Sequence, residues 1–72
     1  MTVEEKLALL EETLETDEGT LKLDTLLEDV EEYDSMTKLS LIVMMEDEFG
    51  VKLNGATIKN FRTVGDIIEL MK

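Results

Sequence analysis

The residue pair Asp34-Ser35 stands at the head of a long apolar run, and it is the place in this chain where side-chain chemistry is most readily imagined. A serine hydroxyl can act as a nucleophile, cap a helix or accept a covalent group from another enzyme. The first option needs an adjacent base. The chain contains no histidine and no cysteine, which excludes Ser-His-Asp and Cys-His catalysis together with thiolate and most imidazole metal sites. Ser35 is therefore expected to be a substrate for another protein's chemistry, and no catalytic residue is assigned. Taken alone, Asp-Ser before an apolar helix is a good cap. An anionic group on the hydroxyl would also lie at the positive end of the helix dipole.

The elements that would position this pair are helical. Thr2 and Glu5 form a capping-box pattern, and Val3, Leu7, Leu10 and Leu14 recur at steps of three and four, as one face of a helix requires. Glu4, Glu5, Glu11, Glu12 and Glu15 mostly fall elsewhere, and Gly19 is the expected left-handed stop. Residues 17–34 form a long connection. Leu21, Leu23, Leu26, Leu27, Val30 and Tyr33 predict that it is packed down, with a helical turn from about Asp24. The clearest helix follows from Asp34-Ser35 to Phe49, closed by Gly50. A turn at Asn54-Gly55 leads to a short helical segment over 56–61. Thr63 with Asp66 then starts a last helix carrying Val64, Ile67, Ile68 and Met71. Nothing alternates with period two. The prediction is an all-α single domain over 1–72, three longer helices and one short one.

Wound at roughly 100° per residue, the central helix places Leu39, Leu41, Ile42, Met45 and Phe49 on a broad core side. Met36, Val43 and Met44 fall opposite, interleaved with Ser40 and Asp47. A surface helix is ordinarily polar there. A second apolar face rich in methionine suits a protein that meets several partners. The competing reading packs Val43 or Met44 under the long loop.

Charge narrows the partners. A formal net charge of −11 repels phosphate, so nucleic acid and anionic membranes are disfavoured and partners with basic surfaces are favoured. The 43% apolar content, spaced for helices, argues against an acidic disordered chain. The charged beginning reads as neither signal peptide nor membrane span, and the lack of cysteine fits a reducing cytoplasm. Asp17-Glu18-Gly19 lacks the alternating ligands of a calcium loop, so no metal site is assigned.

The run Asp34-Ser35-Met36, then Leu39, Leu41 and Met45 with Glu46-Asp47-Glu48-Phe49-Gly50-Val51, resembles the acyl carrier protein family, and Thr63-Val64-Gly65-Asp66-Ile67 resembles that family's final helix. The resemblance implies a four-helix bundle with a long first loop. It also implies a 4'-phosphopantetheine arm on Ser35, transferred from coenzyme A by a magnesium-dependent phosphopantetheinyl transferase. Asp34 matches the residue that assists this modification. Met36, Ser40, Val43, Met44, Glu46, Asp47 and Glu48 match or border the positions that meet acyl-transferring and condensing enzymes through basic patches. The implied function is a monomeric carrier of acyl thioesters for fatty-acid or polyketide-type synthesis. A non-acylated interaction domain of the same fold, or a peptidyl or D-alanyl carrier, stays open. Several positions depart from the pattern: Glu32 replaces a common glycine, Met36 a leucine, and Thr37 and Ser40 acidic residues, while Lys38 adds a positive charge. These changes point to a specialised carrier with dedicated partners.

Overall fold

A computed structural model describes residues 1–71. Helix α1 spans Val3–Leu14, α2 Ser35–Phe49, α3 Gly55–Asn60 and α4 Val64–Ile68, with a single 3-10 turn at Leu27–Asp29 between α1 and α2. The predicted four-helix bundle with its long first connection is the fold. Helix α4 is shorter in strict α geometry than expected, but its winding continues as tighter i→i+3 bonds from Leu70 N to Ile67 O and Met71 N to Ile68 O.

Local sequence explains the helix starts. Thr2 and Glu5 form the expected reciprocal cap, with Glu5 N donating to Thr2 Oγ1 at 3.1 Å and Thr2 N to Glu5 Oε1 at 3.0 Å. Thr63 and Asp66 repeat it at α4. Asn54 caps α3 by accepting from Thr57 N at 2.9 Å, so Asn54-Gly55 begins a helix instead of making a free-standing turn. The stop of α1 also differs from expectation. It falls at Glu15, which takes the left-handed conformation at φ 59°, four residues before Gly19. Gly50 ends α2 as expected, at φ 65°.

The core is built from Leu10 and Leu14 of α1, Leu41 and Met45 of α2, Leu21 and Leu27 of the connection, Leu53, and Val64, Ile67, Ile68 and Met71 at the C-terminal end. Helix α1 packs against both α2 and α4. Two predicted facings are corrected. Val3 lies at the end of the apolar stripe but is exposed, whereas Glu11 is buried at 5% exposure. Glu11 is satisfied there because its Oε2 accepts the Leu21 backbone N–H at 3.0 Å. A buried carboxylate with a backbone donor tolerates a position that periodicity alone reserves for an apolar residue.

The first connection is fastened by backbone as well as by side chains. Leu27 N donates to Arg62 O, Val64 N to Thr25 O and Gly65 N to Leu23 O, each at 2.9 Å, around an antiparallel bridge between Leu26 and Thr63. This explains why only Leu21 and Leu27 of its leucines are buried, while Leu23 and Leu26 stay exposed. The helical turn starts at Leu27, three residues later than predicted. Gly65 has a defined reason to be glycine: a Cβ there would stand 2.9 Å from the Leu23 carbonyl oxygen.

Candidate functional site

The start of α2 is organised by Asp34. It is the N-cap, and Ser35 is the first helical residue rather than the cap itself. One carboxylate oxygen, Asp34 Oδ1, accepts from both Met36 N and Thr37 N at 3.0 Å. The Thr37 hydroxyl returns the favour, accepting from Asp34 N at 2.9 Å. Its single proton goes to the Glu32 carbonyl oxygen, its nearest acceptor at 2.5 Å. Thr37 is buried and so pins residues 32–34 to the helix. No sequence signal singled it out for this role, although the spacing of a hydroxyl three residues after Asp34 is that of a capping box.

This bonding sets the charge at the site. The Thr37 N–H above all, helped by the Thr37 hydroxyl and the Met36 N–H, holds the Asp34 carboxyl below its ordinary range against the opposing effect of desolvation, so it is an anion at neutral pH. It also occupies the helix-end donors that an added anionic group was expected to use. The helix dipole remains favourable to such a group, but the N–H groups of Met36 and Thr37 are already taken.

Ser35 is exposed, and among the described residues its hydroxyl makes no hydrogen bond. Asp34 Oδ2 is likewise without a partner there. An unencumbered Oγ on a rigid helical turn fits the attachment of a long, flexible arm, which needs an accessible hydroxyl and no enclosing cavity.

Beyond Ser35, α2 carries an exposed apolar stripe. Met36 is 78%, Leu39 64% and Val43 59% exposed. The stripe is the predicted second face with two corrections. Leu39, expected in the core, belongs to the surface, while Leu41 and Met45 are buried as expected and Thr37 is the buried residue of the first turn. Met44, expected on the surface, is partly buried and packs on the core, as the competing reading had it. Ser40 lies on the exposed side, its hydroxyl donating weakly to Met36 O at 3.4 Å. Glu46, Asp47 and Glu48 are all exposed at the far end. The helix thus presents an exposed serine, then an apolar strip, then a carboxylate cluster.

Among the described residues no cluster of acidic side chains is arranged to hold a metal ion, and no helix is long and apolar enough to cross a membrane.

Comparison with known proteins fits this arrangement. The family model described as "Phosphopantetheine attachment site" matches residues 7–71. The acyl carrier protein of Onion yellows phytoplasma (strain OY-M) is 35% identical over 68 residues, covering 94% of this chain and 90% of that protein. The acyl carrier protein of Thermotoga maritima is 32% identical over 65 residues, covering 90% and 80%, and that of Renibacterium salmoninarum is 33% identical over 70 residues, covering 92% and 86%. No solved structure matches. With its helical bundle, its exposed serine at a helix start and these relatives, the chain belongs to the acyl carrier protein family, whose members bear 4'-phosphopantetheine and act as carriers rather than catalysts.

Proposed function

We propose that this chain carries acyl intermediates as thioesters on a 4'-phosphopantetheine arm at Ser35 and presents them to fatty-acid or polyketide-type biosynthetic enzymes. The observation that carries the reading is the exposed, unbonded Ser35 hydroxyl placed directly after the anionic Asp34 cap. The arm supplies a terminal thiol, at which the acyl group is held.

The chain's own residues define its share in receiving the arm. Ser35 Oγ forms the new bond to phosphorus as the pyrophosphate linkage of coenzyme A breaks and adenosine 3',5'-bisphosphate departs. Asp34 is a poor acceptor for the serine proton, because its hydrogen bonds lower its basicity. The base therefore belongs to the transferase. The remaining role of Asp34 is electrostatic and positional: it fixes the turn that exposes Ser35 and offers Oδ2 to the transferase's magnesium or basic groups.

Met36, Leu39 and Val43 supply the apolar contact for partner enzymes, and Glu46, Asp47 and Glu48 meet their basic patches. We assign the protein a monomeric, cytoplasmic existence and dedicated partners, on the strength of its charge and of Lys38 and Ser40 on the docking helix.

Incubating the unmodified protein with coenzyme A, magnesium and a broad-specificity phosphopantetheinyl transferase tests the reading by intact mass. One phosphopantetheine should be added to the wild type and none to Ser35→Ala. Modification of Ser35→Ala, or no modification of the wild type, refutes it.

A further inference from the structure

The sulfur atoms of this chain are sorted by burial. There are five methionines and no cysteine. Met45 and Met71 are fully buried, and Met44 is half-buried against the core. Met1 precedes α1 and is exposed, while Met36 is the most exposed large apolar residue among those described. The other members of its stripe, Leu39 and Val43, are pure hydrocarbon. One thioether is therefore the reactive atom of the whole apolar face.

Met36 directly follows Ser35 in the first turn of α2. Its backbone N–H donates to Asp34 Oδ1 at 3.0 Å, and the Thr37 bonds secure the same turn. Its side chain is thus reached from solvent without any opening of the core. Oxidation turns methionine from a flexible apolar side chain into a polar, chiral one. A sulfoxide oxygen loses hydrogen bonds to water on entering an apolar contact, so it opposes burial against a partner. The fold has no stake in the change, because none of its core rests on this side chain.

We propose that Met36 is a reversible oxidation site whose sulfoxide weakens docking of the phosphopantetheinyl transferase on α2. The proposal rests on the reading of Met36, Leu39 and Val43 as the partner contact. The oxidant is a hydroperoxide. A sulfur lone pair attacks its terminal oxygen, the O–O bond breaks, and sulfur loses two electrons as the peroxide is reduced. The proton of the transferred hydroxyl passes to the departing oxygen, which leaves as water or an alcohol. A sulfoxide reductase reverses the step, oxidising two thiols to a disulfide and releasing the oxygen as water.

The test treats the unmodified protein, which has no thiol to compete, with dilute hydrogen peroxide. Tryptic peptide 23–38 contains Met36 as its one methionine, peptide 39–52 holds Met44 and Met45, and peptide 63–72 holds Met71. Peptide 23–38 should gain oxygen before the other two. The KM of the transferase for the oxidised protein should rise by about tenfold, as expected when one apolar side chain no longer gains from burial. The melting temperature should stay within about 4 °C of the untreated value. Sulfoxide reductases with a dithiol should restore the KM. Treated and untreated Met36→Leu should share one KM, although Met1 is still present to be oxidised.

Oxidation of peptide 39–52 or 63–72 ahead of 23–38 would overturn the proposal. So would an unchanged KM once Met36 is oxidised, or an equal rise in treated Met36→Leu. Failure of the Ser35 reading shows separately, as absence of mass gain in protein that was never oxidised. In that event elution of the folded protein from a phenyl matrix decides, the phenyl groups standing in for an apolar partner. Earlier elution after oxidation of the wild type, and not of Met36→Leu, supports the site; unchanged elution refutes it.

Discussion

The starts of α2 and α4 are built alike and used differently. At α4, Thr63 Oγ1 accepts from Asp66 N at 3.3 Å, and Asp66 Oδ2 accepts from Arg62 N at 2.9 Å and Thr63 N at 3.1 Å. At α2 the same reciprocal cap is made with the roles exchanged, the carboxylate at the cap and the hydroxyl three residues on. The residues between the two halves of each cap diverge. Val64 is fully buried and Gly65 lies against the Leu23 carbonyl, whereas Ser35 and Met36 both face solvent. A capping box constrains the backbone and leaves the first helical side chain free, so burial of that side chain separates a structural helix start from an available one.

Substitutions should expose this difference, beginning with the closest contact. Gly65→Ala forces a methyl onto the Leu23 carbonyl and should destabilise by about 1–3 kcal/mol, read from urea unfolding. The equivalent change at α2, Met36→Ala, should stay within about 0.5 kcal/mol of wild type. Val64→Ala removes two buried methyl groups and should cost about 2 kcal/mol. Ser35→Ala should leave the unfolding midpoint essentially unmoved. Equal losses at the two first helical positions would erase the distinction. Thr63→Ala should follow at about 1 kcal/mol, the usual loss of a hydroxyl cap.

The pH dependence is smaller and has a definite sign. Hydrogen bonds from Arg62 N and Thr63 N hold the Asp66 carboxyl below its ordinary value of 3.8, and Thr37 N does the same for Asp34. A depressed folded-state pKa stabilises fully above the unfolded value and loses that contribution as pH falls through the folded one. Asp66→Asn should therefore be less stable than wild type at pH 7, and the gap should close below about pH 4. Urea titrations at a series of pH values read it out. Smallest of all, magnesium should raise the melting temperature more than sodium at matched ionic strength, by relieving repulsion within the acidic surface. Equal effects would indicate simple screening.

What was legible in the sequence was what is local. The Thr2–Glu5 and Thr63–Asp66 caps, the Gly50 stop and the four helices depend on residues a few positions apart. Ser35 was legible through the motif around it, and the stripe of Met36 and Val43 through helical spacing. The misreadings involve groups brought together from afar. Glu11 is buried because Leu21 N reaches it from ten residues away. Leu23 and Leu26 stay outside because their segment is held by backbone bonds to 62–65. Thr37 is a local exception: its hydroxyl bonds two backbone groups within five residues, so it is buried more readily than its polarity suggests, while Leu39 stays exposed. The Tyr33 phenol oxygen, shielded from solvent, has no signature in spacing at all.

The backbone seam between residues 23–27 and 62–65 also has a kinetic meaning. Its partners are distant in the chain, so closing it requires that both helical ends already be positioned, and it should be among the last parts of the native state to form. The amide protons of Leu27, Val64 and Gly65, which donate across it, should exchange with solvent together as one opening unit. Joint exchange would mean that the polypeptide leading to Ser35 is released or secured in a single step, governed by contacts with residues 62–65.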